Sequence, residues 1–278
     1  MNHAPSLNAH DHQGHWILAR MGKRVLRPGG KTTTLKLLDH LDITAADDLV
    51  EFAPGLGATA MLALRKQPRS YTGIEKDPEA SERLRRLVRG ENRRILTANA
   101  AASTLADASA DKVWGEAMLT MQADHRKQEI ISEAYRILRP GGLYGIHELA
   151  LKDSVTEEGC REVQCALAES IEVNARPMTL AKWQELLRSG GFCVREASTA
   201  PMRLLEPGRL VADEGLLRAI MIGFNILSHP AARKRIVEMR RIFRKYSREL
   251  VAISIVGEKI QGDASKRFSA DEKRSPLA

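Results

Sequence analysis

The chain has 278 residues, of which 43% are apolar and 28% are charged, and this composition is ordinary for a folded globular protein. Three cysteines are too few for a disulfide framework, and no apolar run approaches the ~20 residues that a membrane span requires. The composition therefore excludes a secreted disulfide scaffold, a membrane-spanning protein and a disordered chain. We expect a cytoplasmic location.

The basic charge is concentrated in one segment. The net charge is +8, from 43 Lys and Arg against 35 Asp and Glu. Residues 203–248 hold eleven basic and four acidic residues, a net charge of +7, so the rest of the chain is nearly neutral. Aromatic residues make up only 4% of the chain and are sparse in this segment, which argues against a stacking platform for single-stranded nucleic acid. A nucleic-acid partner is therefore not favoured.

The N-terminal residues predict two short helices. Residues 15–28 carry an apolar stripe at helical spacing, and the Pro28-Gly29-Gly30 sequence breaks the pattern. A threonine at positions 32–34 is expected to cap a second helix through LKLLDHL, because its hydroxyl can accept an orphan backbone N–H. His10, His12 and His15 lie in a terminus without fixed geometry, so no metal site is predicted.

From residue 47 onward, predicted strands alternate with predicted helices. The strands cover 47–53, 70–75, 93–98, 111–117, 143–151, 192–199 and 248–259. The helices between them cover 58–66, 78–89, 125–138 and 179–189. Residues 152–177 show no clear pattern, and residues 206–247 are mainly helical. This alternation predicts an α/β fold, a Rossmann-like seven-stranded mostly parallel sheet with helices on both faces.

The segment EFAPGLGATA turns from the first strand into the next helix through two glycines. Gly55 and Gly57 permit backbone conformations closed to other residues and let a ligand approach the main chain. Glu75 ends the second strand, 18 residues after Gly57, where a carboxylate can accept hydrogen bonds from ribose hydroxyls. The pattern indicates a nucleotide-cofactor site, and a tight turn without a ligand is the alternative.

Five features follow one another along the chain: an acidic residue in the first strand, the Gly-x-Gly turn, Glu75, a small-residue loop after the third strand, and LRPGG before the fifth strand. Together they resemble the class I S-adenosylmethionine-dependent methyltransferases. The resemblance is greatest to the small-molecule group that includes the quinone-biosynthesis enzymes. The resemblance covers about residues 47–200. It implies S-adenosylmethionine as the cofactor and S-adenosylhomocysteine as its product.

The resemblance also implies roles for individual residues. Glu51 would hold the turn and the amino end of the cofactor, and Glu75 would bind its ribose. The remaining implied residues are Ala53, Gly55 and Gly57 at the methionine moiety, Lys76, Asn99 and Ala100 at the adenine, and Glu116, Ala117 and Met118 beneath the cofactor. Two positions depart from the family pattern, because Ala53 replaces the usual first glycine and Asn99 replaces the usual aspartate.

The resemblance implies methyl transfer by in-line displacement, in which the enzyme mainly supplies proximity and alignment. His147 and Glu148 are the candidate general bases near the strand ends, and the alternative for His147 is a packed strand residue with a hydrogen-bonded ring. We expect a small, partly apolar acceptor. An acceptor in nucleic acid or a membrane-surface lipid, bound through the basic segment, is an alternative, and a less favoured one is an NAD-dependent oxidoreductase.

The predicted regions are an N-terminal segment with cap helices (1–46), a cofactor-binding core (47–202), a helical insertion (203–247), a last core strand (248–259) and a disordered tail (260–278). The insertion is expected to cap the acceptor pocket, and a helix docked on the sheet with a solvated basic face is the alternative. Cations of the N-terminal helix, among them Arg27, are candidates to meet a carboxylate at the site. Cys160 and Cys165 are expected to be buried apolar residues. The sequence leaves a homodimer open.

Overall fold

A computed structural model describes residues 14–171, 175–202 and 204–260. Its centre is one sheet, in which seven strands follow the order β3-β2-β1-β4-β5-β8-β7 and the two-residue β6 lies beside β5. The strands are β1 Asp48–Phe52, β2 Ser70–Glu75, β3 Arg93–Thr97, β4 Ala110–Glu116, β5 Leu138–Leu151, β6 Met178–Thr179, β7 Phe192–Pro201 and β8 Leu250–Lys259. β1 to β5 pair in parallel, and β8 runs antiparallel between β5 and β7. The predicted mostly parallel, Rossmann-like α/β sheet is confirmed.

Ten α-helices occur in the described residues. They are α1 Gly14–Arg20, α2 Gly30–His40, α3 Ala58–Leu64, α4 Pro78–Leu87, α5 Asp124–Ile137, α6 Glu157–Ile171, α7 Leu180–Ser189, α8 Pro207–Glu214, α9 Leu216–Ser228 and α10 Pro230–Lys245. Local chemistry explains where two of them begin. Asp77 caps α4 by accepting the Ala80 N–H at 2.7 Å, and Thr179 caps α7 by accepting the Lys182 N–H at 3.3 Å.

Helices cover the sheet on both faces. On one face, Leu37 of α2 and Leu41 at its C-terminal cap pack with Trp114 of β4, and all three side chains are fully buried. On the other face, Ile131 of α5 and Trp183 of α7 belong to a second buried cluster. Because both faces are covered, the apolar parallel strands are shielded from water, and the carboxyl ends of β1, β2, β4 and β5 meet at one edge.

The N-terminal segment and the insertion between β7 and β8 pack together. Leu18 of α1, Ile222 of α9 and Met239 of α10 share one buried cluster. Glu214 at the end of α8 accepts the backbone N–H groups of Arg24 and Val25 at 2.7 and 2.8 Å. We call residues 14–29 together with α8, α9 and α10 the cap. Segments far apart in the chain therefore form one structural unit.

The structure differs from three local predictions. α1 ends at Arg20 instead of continuing to residue 28, because Gly22, whose φ is 101°, closes the helix while the Lys23 N–H bonds the Leu18 carbonyl at 3.0 Å. The threonine cap of α2 is wrong: the helix begins at Gly30 behind Gly29, whose φ is 67°, and Thr33 lies inside the helix. The patternless stretch 152–177 contains α6, which buries Val163 and Leu167 one turn apart.

Further findings concern the cysteines, the termini and membrane spans. Cys165 is exposed and Cys160 is half-buried, so the expectation of two buried cysteines is wrong for Cys165. Residues 1–13, which include His10 and His12, and most of the expected disordered tail lie outside the described residues. Among the helices of the described residues, none is both long and apolar enough to cross a bilayer.

Candidate active site

A cavity of 280 Å³ lies between the cap and the carboxyl ends of β1, β2, β4 and β5. Its wall has two unlike parts. The first part comes from the strand ends and the glycine turn and includes Glu51, Ala53, Gly55, Glu75, Glu116 and Ala117. The second part is almost wholly apolar and includes Leu18, Leu26, Met121, Leu149, Met202, Leu204, Met239 and Phe243. The cap supplies Leu18, Leu26, Met239 and Phe243 of this apolar part, and it also places Arg24 and Arg27 in the cavity lining.

The turn after β1 holds three residues in the left-handed backbone region. Ala53, Gly55 and Gly57 have φ values of 51°, 55° and 74°. A Cβ on Gly55 would meet only the Ala53 carbonyl oxygen, at 3.9 Å, so the turn leaves open space beside this residue. A Cβ on Gly57 would lie 2.7 Å from the Leu87 side chain. Gly55 therefore faces the cavity, whereas Gly57 lies outside its lining and allows the turn to pack against α4.

Two buried carboxyl groups flank this turn. Glu75 accepts the N–H groups of Gly55 and Asp77 at 3.0 and 3.1 Å, and burial raises its pKa. Glu51 accepts the Tyr71 hydroxyl at 2.6 Å, and burial raises its pKa to about 8. Both carboxyl groups are thus poorly solvated and would gain from a donor or a cation placed in the cavity.

Glu116 at the end of β4 is the centre of a buried polar network. It accepts the Thr34 hydroxyl at 2.6 Å, and it also bonds the Thr59 hydroxyl and the Arg27 guanidinium. Nδ1 of His147 lies 2.7 Å from the same carboxylate. Burial alone would raise the pKa of Glu116, but the Arg27 charge and the bonds from His147 and Thr34 lower it to about 2. The network joins the cap to the sheet through an ionised carboxylate.

The two predicted base candidates are both fully buried, and both are engaged within the protein. Nε2 of His147 faces the Pro28 carbonyl oxygen, which can only accept, so this nitrogen carries a proton, and the ring is not part of the cavity wall. Glu148 does line the cavity, and burial raises its pKa. Its oxygens accept the Met118, Leu119 and Thr120 N–H groups at 2.8–3.1 Å and the Thr120 hydroxyl at 2.6 Å.

Some of the other predicted site residues line the cavity, and others lie outside its lining. Ala117, whose φ is 52°, and Met118 line the cavity after β4. Lys76 is exposed, and it lies outside the lining, as do Asn99 and Ala100. The Asn99 amide oxygen accepts the Ala101 N–H at 3.0 Å. The described residues contain no cluster of three or more metal-ligating side chains.

Four polar residues of the site lacked a local sequence signal. Thr34 lies within α2, Thr59 within α3 and Thr120 in the short 3-10 turn after β4, and only the fold brings them to the cavity region. Arg27 was one of several N-terminal cations considered for a carboxylate partner, and the structure pairs it with Glu116. A scattered network of this kind has no spacing rule that a single sequence could show.

The fold and the cavity first define a class of protein. The chain runs outward in one direction from β1 to β2 and β3, and in the other from β4 to β5, so β1 and β4 form the switch point where open α/β sheets bind nucleotide cofactors. Residues 50–146 match a protein family described as a methyltransferase domain. This match supports the class I S-adenosylmethionine-dependent methyltransferase that the sequence motifs implied.

Relatives are similar over most of the chain. An uncharacterized Haemophilus influenzae protein is 28% identical over 255 residues, which is 90% of this chain and all of that protein. The [4+2]-cyclase SpnF shares the fold, with a TM-score of 0.69, 15% identity, and coverage of 88% of this chain and 93% of the cyclase. Phosphoethanolamine N-methyltransferase 2 of Haemonchus contortus, solved with S-adenosyl-L-methionine, has a TM-score of 0.68 and 16% identity, and the match covers 91% of this chain and 59% of that enzyme.

Proposed function

We propose that the chain transfers a methyl group from S-adenosylmethionine to a small, partly apolar acceptor. One observation carries this proposal: a single cavity has a carboxylate-lined part at the glycine turn and an apolar part under the cap. The two parts suit a polar nucleotide cofactor and an apolar acceptor that meet inside one enclosure. When bound, the cofactor would supply an activated methyl group, which an acceptor atom attacks in line while the sulfur leaves as S-adenosylhomocysteine.

The carboxylate-lined part fits the cofactor chemically. Glu75 has both oxygens in use by backbone N–H groups, yet a carboxylate has about four acceptor positions, so it can also accept ribose hydroxyls. Glu51 would accept the ammonium of the methionine moiety, which would compensate for its buried charge. The open space beside Gly55 leaves room for a ligand against the main chain. The adenine contacts implied for Lys76, Asn99 and Ala100 stay predictions.

We assign His147 a positioning role. Its ring joins Glu116 to the Pro28 carbonyl, and Glu116 in turn holds Arg27, so the ring fixes the chain segment that roofs the cavity. A general base needs a nitrogen that reaches the acceptor, and both nitrogens are used inside the protein. His147 would thus act through the cap and not on the reacting atoms.

Glu148 would position the loop after β4. Its four hydrogen bonds from Met118, Leu119 and Thr120 hold that loop beside the acceptor part of the cavity. The apolar surroundings there, which include Leu149 and Phe243, favour alignment of the acceptor over proton abstraction. We therefore propose that proximity and exclusion of water carry most of the rate enhancement.

Calorimetric titration with S-adenosylhomocysteine tests the cofactor assignment. Glu75→Gln should weaken binding about 10- to 100-fold, because it removes hydrogen bonds to a charged group. Glu79→Gln, which changes an exposed glutamate in the first turn of α4, is the matched control and should bind like the natural chain. No heat with the natural chain would contradict the cofactor assignment. Equal affinity in both variants would remove the ribose assignment of Glu75. A parallel titration with NADH tests the oxidoreductase alternative.

A further inference from the structure

The outer face of α9 is an exposed apolar surface. Five large side chains on it are 60–85% exposed: Leu216, Leu217, Ile220, Phe224 and Leu227. At 100° per residue these positions fall within an arc of roughly 100°, and this arc contains no charged side chain. Ala219 and Ile222 on the opposite side are buried against the rest of the cap. We call the five exposed residues the α9 face.

This surface is unlike the rest of the described chain. Apart from the α9 face, Val237 on the neighbouring α10 is the one large apolar side chain in the described residues that is at least 60% exposed. Contiguous exposed apolar patches mark interaction sites, because water leaves them at a gain in free energy. The α9 face lies outside the cavity lining, so neither the cofactor nor the acceptor explains it.

Positive charge lies on α10, the helix that follows the α9 face in the chain. Arg233, Lys234 and Arg241 of α10 are exposed, and their side chains form no ion pair within the described residues. α9 and α10 bury their inner sides in the same cluster, so their outer sides share the surface of the cap. The segment 203–248 as a whole carries a net charge of +7. An apolar face beside unpaired cations is the pattern of a helix that lies in the interface of an anionic membrane.

We propose that the α9 face and the three α10 cations dock this protein on an anionic lipid surface. Charge decides against a second copy as the occupant, because a symmetric dimer through this face would bring two segments of net charge +7 together. It also decides against nucleic acid, since a phosphate backbone offers nothing to an uncharged apolar arc. No helix of the described chain is long enough to span, so the association is at the membrane surface.

Docking of this kind has a consequence for the reaction, and that consequence rests on the proposed function. Met239 and Phe243 of α10 line the apolar part of the cavity, on the helix that follows the α9 face. A docked cap would hold that part of the cavity near the interface, where apolar molecules accumulate. The docking itself needs no catalysis, so it can fail or succeed independently of methyl transfer.

Vesicle co-sedimentation tests the docking surface with the full chain. We expect binding to vesicles of phosphatidylglycerol and phosphatidylcholine, and at least about tenfold weaker binding to phosphatidylcholine alone. Leu217→Ser with Phe224→Ser should weaken binding to the anionic vesicles by about tenfold or more. Leu35→Ser with Met61→Ser, which removes two apolar side chains of 41% and 40% exposure elsewhere on the molecule, is the control and should bind like the natural chain.

A second variant separates charge from apolar contact. Arg233→Gln, Lys234→Gln and Arg241→Gln together should weaken vesicle binding and flatten its dependence on salt. Titration of every variant with S-adenosylhomocysteine shows that the site is folded and keeps the two proposals distinguishable. Failure of the natural chain to bind anionic vesicles would overturn the proposal, as would binding that both variants retain. A dimer that the Leu217→Ser/Phe224→Ser variant dissociates, without vesicle binding, would assign the face to a second copy.

Discussion

Glu51 is the residue whose ionisation should report cofactor binding. Burial raises its pKa to about 8, so the carboxyl group of the unliganded protein is mostly neutral at pH 7. If the ammonium of the cofactor pairs with it, binding must expel close to one proton at that pH. Calorimetry with S-adenosylhomocysteine in two buffers of different ionisation enthalpy measures this number directly. A heat that does not depend on the buffer would contradict the pairing.

The same group makes a prediction about pH. The pKa of Glu51 is raised in the folded chain, so its contribution to stability is complete below about 4.5 and is lost as the pH rises through about 8. Cofactor affinity should move oppositely, rising as the pH approaches 8 and levelling above it. Glu51→Gln should remove both dependences. Thermal unfolding and cofactor titrations of the natural chain and Glu51→Gln from pH 6 to pH 9 measure both dependences. Parallel curves for the two proteins would show that another group causes the pH dependence.

Ala53 has the left-handed backbone that the family pattern usually gives to glycine. Its φ is 51°, which is costly for a residue with a Cβ. Ala53→Gly relieves this strain but also raises the conformational entropy of the unfolded chain. We therefore expect a net gain of about 0.5–1 kcal/mol in unfolding free energy. Urea denaturation measures the change. Ala63→Gly, inside the helix α3, is the control and should lose about 1 kcal/mol or more, and equal losses in both variants would contradict the strain.

Arg27 and Glu116 form a buried ion pair that joins the cap to the sheet. Their side chains are 11% and 4% exposed, so removal of one partner leaves a charge without compensation. Arg27→Met should lower the unfolding free energy by about 3 kcal/mol, and the added change Glu116→Gln should recover part of that loss. Denaturant unfolding of the two single variants and the double variant measures the coupling. Strict additivity of the two losses would show that the pair is not coupled.

At the scale of elements, the cap should open as one cooperative unit. Met239 of α10 is 1% exposed and packs with Leu18 of α1 and Ile222 of α9. Met239→Ala should cost the cap about 2–4 kcal/mol of local stability, because it leaves a cavity. Hydrogen exchange should then quicken in α1, α9 and α10 together and stay unchanged in β4 and β5.

Val237→Ala is the matched control for that experiment. Val237 lies on the same helix but is 60% exposed, so its truncation should leave exchange in the cap almost unchanged. If Met239→Ala speeds exchange equally in β4 and β5, the cap and the sheet form a single unit. If exchange quickens only in α10, the shared cluster does not make α1, α9 and α10 open as one cooperative unit.

The elements that the sequence predicted well are those with local signals. The second strand, 70–75, has the predicted bounds, and α4 and α7 begin beside the caps that their sequences offer. α6 was missed because its buried stripe is short and its surroundings are polar. α1 stops early because Gly22, whose φ is 101°, caps its C-terminal end, and the apolar stripe that predicted a longer helix continues past this local signal.

The candidate site likewise has residues that local spacing predicted and residues that only the fold brings together. Glu51, Gly55 and Glu75 stand in one strand–turn–helix–strand unit, so their spacing predicted that they would meet. The Glu116 network draws on segments that are far apart from one another in the chain: the cap, α2, α3, β4 and β5. A single sequence could supply its charged members, Arg27 and Glu116, but no pairing between them. The positions of His147 and Glu148 were anticipated near the site. The hydrogen-bonded ring of His147 was the stated alternative to a general base, whereas the engagement of Glu148 was not anticipated.

Over the whole molecule, charge and chemistry are divided between two units. The sheet and its helices provide a nearly neutral core with the cofactor-side wall, whereas the segment 203–248 carries a net charge of +7 and most of the exposed large apolar side chains. The cap couples these units, because α10 reaches the cavity with Met239 and Phe243 while α9 turns its outer face to the solvent. Acceptor choice and location in the cell would therefore depend on the cap, and cofactor use on the core.

A structure of the complex with S-adenosylhomocysteine tests the central claim most directly. We predict that the ribose hydroxyls lie on Glu75, the ammonium lies on Glu51, and the sulfur faces the apolar part of the cavity beneath Met239 and Phe243. A cofactor that binds outside this cavity, or one whose sulfur faces away from the cap, would contradict the assignment of the two parts.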